Sequence, residues 1–461
     1  MFDEMDISYD DFIRTTQRRH KETVNFLWKR LMDSGNIYIG KYEGWYCVSD
    51  ESFLMPNQVI DSKDSQGNPI KISVESGHTV QWVTETNYKF RLSNFKQQLL
   101  EWLDTHPEAL IPTGRTTEVR SHIAELGDLS VSRNSRRSSW GIEVPGDPEQ
   151  VVYVWLDALA NYLTVAVFPY DEVGRSEMEE MSEERLQKAL SGSWPPLVHV
   201  IGKDIVKFHA IYWPAFLMAA GLPLPSKIVA HGHWTAKKEK MSKSKGNVVH
   251  PKYLIDKYGS DGFRYFLLVE GGISSDGDYD EAILSNRYHA DLANNLGNLF
   301  SRSISKALNP KNEWPQYLEE SFNEEDKVLL KELYQIPKNV DEAIQEVNFP
   351  RGIETVMECL RKVNKYFHAN EPWKLITNHQ DSLLTVPRLN AILYVTMESL
   401  RVTCTVLQFV IPRATSAILD HFDIPPHHRT FQHSQQPFYQ YTSPQGPLSP
   451  SPKIIFKRIQ T

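Results

Sequence analysis

The stretch KEKMSKSKGNVVHP, Lys238 to Pro251, gathers lysines and serines around one methionine and then adds Gly246-Asn247. Cationic side chains, rotatable hydroxyls and a flexible backbone suit a chain of phosphates, although Lys-Ser-Gly segments also serve as plain solvated loops. Position favours the first reading. The segment follows SKIVAHGHW, a strand pattern, and Gly246-Asn247 and Pro251 keep a helix from starting before KYLIDKYG. A basic loop at a strand end can close over a nucleotide. Lys243 then neutralises phosphate charge, Lys240 assists, and Ser242 and Ser244 donate hydrogen bonds or steady the turn. Such charges count most where charge is redistributed in a transition state, as in in-line attack on an α-phosphate. His231 and His233 are separated by one residue in a strand-like segment, which gives no metal pair.

The elements that must position this loop read as an α/β sheet. VVYVWLDALANYL is a buried strand running into a helix, and PLVHVIGKDIVKFHAIYWPAFLMAAGL is an apolar strand, a tight turn at Gly202 and a helix ended by Gly221. Strands alternating with helices imply a parallel sheet whose ligands sit beyond the strand carboxyl ends. Upstream, residues 12–35 predict a helix with Val24, Leu27, Trp28 and Leu31 on one face, stopping at Gly35. IYIGKYEGWYCVSDESFL predicts short strands, QWVTETNYKFRLSNFKQQLLEWL an extended piece then a helix, and the polar residues 127–150 a loop. Beyond 281 the pattern is a helical bundle, with amphipathic segments near 284–308, 323–345, 350–370 and 386–420. Residues 425–452 are rich in Pro, Gln, Ser and His and read as disordered, and KIIFKRIQT as a closing strand.

Bulk properties narrow the class. With 461 residues, 41% hydrophobic, and a net charge of −8, the chain reads as a soluble protein of two or three domains. Nucleic-acid contacts must come from local patches, because no overall basic field exists. Cys47, Cys359 and Cys404 are far apart and form no CxxC, which points to a reducing compartment without disulfides. No apolar run is long enough to predict a membrane span.

KMSKS (Lys240–Ser244) resembles the second signature of class I aminoacyl-tRNA synthetases. IRTT, YEGWYCVSDE, NYKFRLS, VYVWLDAL, HVIGKDIVKFH and HGHW follow the order found in the methionyl-tRNA synthetase family, and the resemblance, to its mitochondrial type, covers nearly the whole chain except the tail. It implies a Rossmann-like α/β catalytic core split by a connective insertion, then an all-α anticodon-binding domain. It also implies ATP, with Mg²⁺, methionine and tRNA(Met) as substrates, a monomer, and the mitochondrial matrix as location, with the cytoplasm as the alternative. On this reading 1–38 is a remnant of the first half of the core, 39–126 the insertion and 127–235 the second half. Residues 236–280 carry the KMSKS loop and stem contacts, 281–424 the anticodon domain, and 425–461 the tail.

Carried over by position, Trp155, Ala158, Tyr162, Ile205 and His209 match the methionine pocket. A thioether favours such an apolar, polarizable surround, while the same residues also suit ordinary core packing. Gly202, Lys203, Asp204, His231, Gly232, Trp234, Met241 and Lys243 match the ATP side. Gly202 permits close backbone approach, and Asp204 suits a ribose hydroxyl or a plain N-cap. ANEPWKL places Trp373 at the anticodon-reading position, and DLANNLGNLFSR supplies Asp291, where relatives often have Asn, and Arg302. An exposed indole stacks on unpaired bases. Many relatives carry Cys-based zinc knuckles in the insertion; this chain offers only Cys47 there, so no zinc is expected.

The His-Ile-Gly-His type signature of the family has no counterpart before DISYDDFIRTT, and HGHW, just ahead of the Lys/Ser loop, is no substitute. The expectation is a parallel sheet lacking central strands, with an apolar edge prone to aggregation, and impaired aminoacylation. The alternative is a catalytically inactive synthetase-like protein that still binds tRNA. Another class I synthetase or nucleotidyltransferase is disfavoured by the Trp155–Tyr162 segment.

Overall fold

The computed structural model describes every residue except 51, 55, 137–139, 169–180, 243–245, 378–381, 441–446, 451–453 and 460–461. It divides into an α/β unit, Tyr9–Ala230, and a mainly helical unit made of Met1–Ser8 with His231–Thr461. The first eight residues therefore group with the helical unit and not with the remnant expected at 1–38. Met5 is buried in its core, and Arg264 Nη1 donates to the Met5 carbonyl at 2.9 Å.

In the α/β unit the helix Arg18–Asp33 buries Val24, Leu27, Trp28 and Leu31, the stripe that a 3.6-residue repeat dictates. Each contributes about 1.5–3 kcal/mol relative to exposure. Gly35, at φ +70°, turns the chain out of this helix in the left-handed conformation that side chains resist. The insertion centres on a six-stranded sheet in which β1 (Ile37–Cys47), β2 (Ser52–Leu54), β3 (Val59–Lys63), β4 (Pro69–Ser73) and β5 (Thr79–Phe90) run in the order β2-β1-β5-β4-β3 and a sixth strand, Leu129–Ser130, pairs with β5. β1 and β5 pair antiparallel from Ile37↔Phe90 to Cys47↔Val80.

Two boundaries differ from expectation. β6 (Leu110–Ile111) pairs in parallel with β12 (Lys227–His231), through Ile228↔Leu110 and Val229↔Ile111, so this part of 39–126 belongs to the sheet of the core. Residues 127–150 are not one loop. They hold β7 (Leu129–Ser130), which pairs with β5, then β8 (Ser132–Asn134), β9 (Glu143–Val144) and most of β10 (Asp147–Val152), which form a three-stranded sheet in the order β8-β10-β9. Hydrophobic patterning misses these strands because polar side chains hold them. The buried Ser132 hydroxyl donates to Gln150 Oε1 at 2.7 Å and accepts from the Tyr88 N–H at 2.9 Å. For the same reason Val151-Val152 ends an antiparallel strand, not a parallel one. β11 (Val198–Gly202) lies at one end of the described order β11-β12-β6, and Leu197, Val198 and Val200 are exposed.

The helical unit begins with β13 (Trp234–Ala236), β14 (Glu239–Lys240) and β15 (Gly277–Tyr279), ordered β14-β13-β15. Helices Pro251–Glu270, Glu281–Arg287, Asn298–Ser303, Glu324–Leu333, Ile336–Gln345, Phe349–Ala369, Ser382–Leu407 and Pro412–His421 follow. Parts of the tail expected to be disordered pack, with Ser434, Phe438 and Leu448 buried. Glu398 and Arg401 form a fully buried ion pair, Arg401 Nη1 and Nη2 donate to the His433 and Gln436 carbonyls at 3.1 and 2.8 Å, and the Phe438 N–H donates to Glu398 Oε1 at 3.1 Å. Two buried charges need every lone pair and proton satisfied, and the tail backbone supplies partners. Ile454–Ile459 form no strand; Phe456 packs edge-on against Tyr288, whose hydroxyl donates to the Lys457 carbonyl at 2.9 Å.

Arg401→Ala leaves Glu398 buried and unpaired, so it is expected to cost about 3–5 kcal/mol in urea unfolding. Replacing both, Glu398→Leu with Arg401→Met, is expected to recover most of that loss.

Candidate active site

β10 ends at Val152, and the chain passes at once into the helices Val154–Leu159 and Asn161–Val167, which carry Trp155, Ala158 and Tyr162. Beyond β11, Lys203–Ile205 form a tight turn and Phe208–Tyr212 a π-helical one, the latter carrying His209. The structure brings the two segments together. Tyr162 Oη lies 2.7 Å from His209 Nε2, and His209 Nδ1 lies 2.9 Å from the Ile205 carbonyl. A carbonyl only accepts, so Nδ1 carries the proton, Nε2 is bare, and the Tyr162 hydroxyl donates to it. Trp155 stacks on Phe208 with ring centroids 3.4 Å apart and planes 13° apart.

A second histidine, His199 of β11, lies with its ring centroid 4.0 Å from that of Tyr162 and accepts from Trp213 Nε1–H at 3.3 Å. Burial, then the neighbouring His209, pushes His199 down to about 4, and burial also lowers His209. Both rings are therefore neutral at neutral pH, and the pocket is aromatic and uncharged. Phe208 and His199 were missed in the sequence. The available signal was the alternation in β11, where His199 and Ile201 are buried while Val198 and Val200 are exposed.

Gly202 has φ −70° and ψ 149°, extended backbone open to any residue, and it caps the following turn. Asp204 lies inside that turn and is exposed, so it is not the N-cap.

In the helical unit, β13 and β14 form a hairpin, Thr235↔Lys240 and Ala236↔Glu239, whose two turn residues, Lys237 and Lys238, both have positive φ (53° and 61°). This turn normally recruits Gly or Asn. Asp278 anchors it, accepting from Thr235 Oγ1 at 2.6 Å and from the Lys238 N–H at 2.8 Å. Lys240 is exposed and Met241 half-buried. Lys243 and Ser244 lie outside the described residues. Asn247 closes the base of the loop: its Oδ1 accepts from the Ser242 N–H at 2.8 Å and its Nδ2 donates to the Lys240 carbonyl at 3.2 Å. The sequence reading had Asn247 only as a helix interruption.

The residues expected beside adenosine have internal partners. A Cβ on Gly232 would lie 2.1 Å from the Ser275 carbonyl, so close approach of the chain to itself requires this glycine. Trp234 packs at 5.3 Å from Phe266, and a Cβ on Gly277 would come within 3.1 Å of its ring. His231 Nδ1–H donates to the Gly232 carbonyl at 2.7 Å.

At the expected anticodon face, Trp373 is 39% exposed beside Phe367 and His368. The Arg302 guanidinium lies 5.3 Å over the Phe367 ring and donates to Asn364 Oδ1. Asp291 does not join them. It is buried, accepts from Tyr265 Oη at 2.9 Å, and pairs with Arg287 and Arg361. The exposed side chains of this segment are Asn294, Asn298 and Ser301; Asn298 lies one turn before Arg302, whose Nε donates to the Asn298 carbonyl at 3.3 Å.

Cys47 is not alone in the insertion. Its potential ligand atom and those of Asp50 and His78 all lie within 4.8 Å of one another, the one such group among the described residues. Burial, then a hydrogen bond to Asp50, pushes the Cys47 thiol up, while bonds from Cys47, Ser76 and His78 hold Asp50 down to about 2. A protonated thiol donating to a carboxylate accounts for the cluster, and the donor count is three, not the one expected from cysteines.

A family model described as tRNA synthetases class I (M) matches residues 1–304. The probable mitochondrial methionine–tRNA ligase of Dictyostelium discoideum is 42% identical over 99% of this chain and 78% of its own length. The mitochondrial methionine–tRNA ligase of Homo sapiens is 38% identical over 100% and 77%. Among solved structures, Mycobacterium tuberculosis methionyl-tRNA synthetase bound by methionyl-adenylate aligns with a TM-score of 0.85 at 37% identity, over 99% of this chain and 84% of that one. The chain belongs to the class I tRNA synthetases, in their methionyl family.

Proposed function

We propose that this chain activates methionine with the magnesium complex of ATP and transfers it to tRNA(Met) as a monomer in mitochondrial protein synthesis. The uncharged pocket of Trp155, Tyr162, Ile205 and His209 carries this reading, because it offers a thioether polarizable rings and no competing charge. In the first step a carboxylate oxygen of methionine attacks the α-phosphorus, the bond to the β-phosphate breaks, and pyrophosphate leaves. Lys240, Lys243, Ser242 and Ser244 stabilise the charge moving onto pyrophosphate, with Met241 and Asn247 shaping the loop. Gly202, Lys203, Asp204, His231, Gly232 and Trp234 border the nucleotide. In the second step a terminal ribose hydroxyl attacks the methionyl carbonyl and AMP leaves. Trp373, Arg302 and Asn298 read the anticodon, while Asp291 holds the helix in place. The mitochondrial setting is supported by the names of the relatives from Dictyostelium discoideum and Homo sapiens.

Methionine-dependent ATP–pyrophosphate exchange, run against a panel of amino acids, tests the proposal: exchange is expected with methionine alone. Anticodon binding without exchange would leave only the tRNA-binding alternative. Tyr162→Phe removes the donor to His209 and is expected to raise KM for methionine about tenfold, the cost of one hydrogen bond with its partner left buried.

The pH dependence follows from the two histidines. Both have folded-state values below the ordinary 6.5, so unprotonated, folded protein is favoured at its full advantage above about pH 6.5. That advantage declines as pH falls toward about 4, the value of His199. Methionine affinity of the folded protein, measured by calorimetry, is expected to fall only as pH approaches about 4, where His199 gains its proton.

Trp373→Ala is expected to weaken binding of an anticodon stem-loop by about tenfold for the lost stacking, and Asn298→Ala to weaken it through a lost hydrogen bond to a base edge. Asp291→Asn is expected to lower thermal stability while leaving that affinity within about twofold.

A further inference from the structure

Between Ala236 and Glu239 the β13-β14 hairpin turns on Lys237 and Lys238, at φ of 53° and 61°. A two-residue turn of this hand recruits Asn-Gly, because a Cβ crowds the backbone at positive φ. Two consecutive lysines are thus held in a conformation that their own backbone resists. Such strain persists only where the surroundings over-determine it.

Asp278 supplies that constraint. It lies on β15, in parallel register with Thr235 of β13. Its Oδ1 accepts from Thr235 Oγ1 at 2.6 Å and from the Lys238 N–H at 2.8 Å, so one oxygen grips both the strand entering the turn and the second turn residue. The bond from Thr235, then that from the Lys238 amide, holds the Asp278 carboxyl below its ordinary value. The acceptor is therefore ionised at neutral pH, and both bonds are charge-assisted.

The grip reaches the KMSKS segment. Thr235 is the register partner of Lys240, and on the far side the Lys240 carbonyl accepts from Asn247 Nδ2 at 3.2 Å. Lys240 is fixed through its backbone while its side chain stays exposed.

We infer that Asp278 is a positioning residue, which holds the Lys237-Lys238 turn in its left-handed conformation and so fixes the backbone that presents Lys240 to the triphosphate of ATP. A carboxylate repels polyphosphate, so Asp278 acts through the hairpin and not on the reactants. The part given to Lys240 rests on the reading of the chain as a methionine–tRNA ligase; the clamp does not.

The test makes Asp278→Ala in two backgrounds, the native turn and Lys237→Asn with Lys238→Gly, which gives the turn the dipeptide it favours. Two quantities are read: kcat and methionine KM of ATP–pyrophosphate exchange, and hydrogen exchange of the amides from Thr235 to Lys240. With the native turn, Asp278→Ala is expected to lower kcat about tenfold, leave the methionine KM within about twofold, and speed amide exchange about tenfold or more. In the second background the same substitution is expected to change kcat and amide exchange by less than about threefold, because a relaxed turn needs no clamp. An equal loss of rate in both backgrounds, as misfolding or a direct chemical role would give, overturns the inference. Unchanged amide exchange in Asp278→Ala with the native turn overturns it too. Absence of pyrophosphate exchange in every variant refutes the ligase reading alone, since amide exchange still decides the clamp.

Discussion

The aromatic pocket depends on one chain of hydrogen bonds: the Ile205 carbonyl takes the proton of His209 Nδ1, and His209 Nε2 takes the proton of Tyr162. The first bond fixes the tautomer and the second follows from it. Reversing either leaves a buried donor facing a donor or an acceptor facing an acceptor, each of which costs about 1–3 kcal/mol. The arrangement also requires His209 to be exposed to a backbone carbonyl four residues earlier, just where the helix widens into a π turn. Such widening is common at functional sites because it redirects side chains that a regular turn would bury. A second π stretch, Tyr288–Gly297, runs directly into the helix that carries Asn298 and Arg302.

Much of this was legible in the sequence, and the misses share a physical cause. The helix Arg18–Asp33 and the β5-to-helix transition follow from apolar spacing, which local sequence carries directly. The order of the motifs pointed to Tyr162 and His209 as neighbours, and their side chains meet. What the sequence could not carry is pairing between distant polar groups. His199 and Phe208 join the site through contacts across the fold, and β8 and β10 exist because serine and glutamine side chains close on each other. Asp291 fits the anticodon by position, yet its carboxylate is consumed by Tyr265, Arg287 and Arg361.

The tail shows the same limit. Its composition has too little apolar surface to fold alone. Glu398 and Arg401 have more hydrogen-bonding capacity than each other can fill; the Tyr334 hydroxyl takes part of it and the tail backbone takes more. Order there is imposed by a demand located elsewhere in the chain.

β11 has an effect on how the protein behaves in solution. Leu197 and Val200 are 75% and 69% exposed at the end of the described three-stranded order, next to backbone groups of an end strand. Greasy side chains and a ladder of peptide groups side by side make a template on which a second polypeptide can zip up. Any self-association is expected to start at that edge and to grow with concentration.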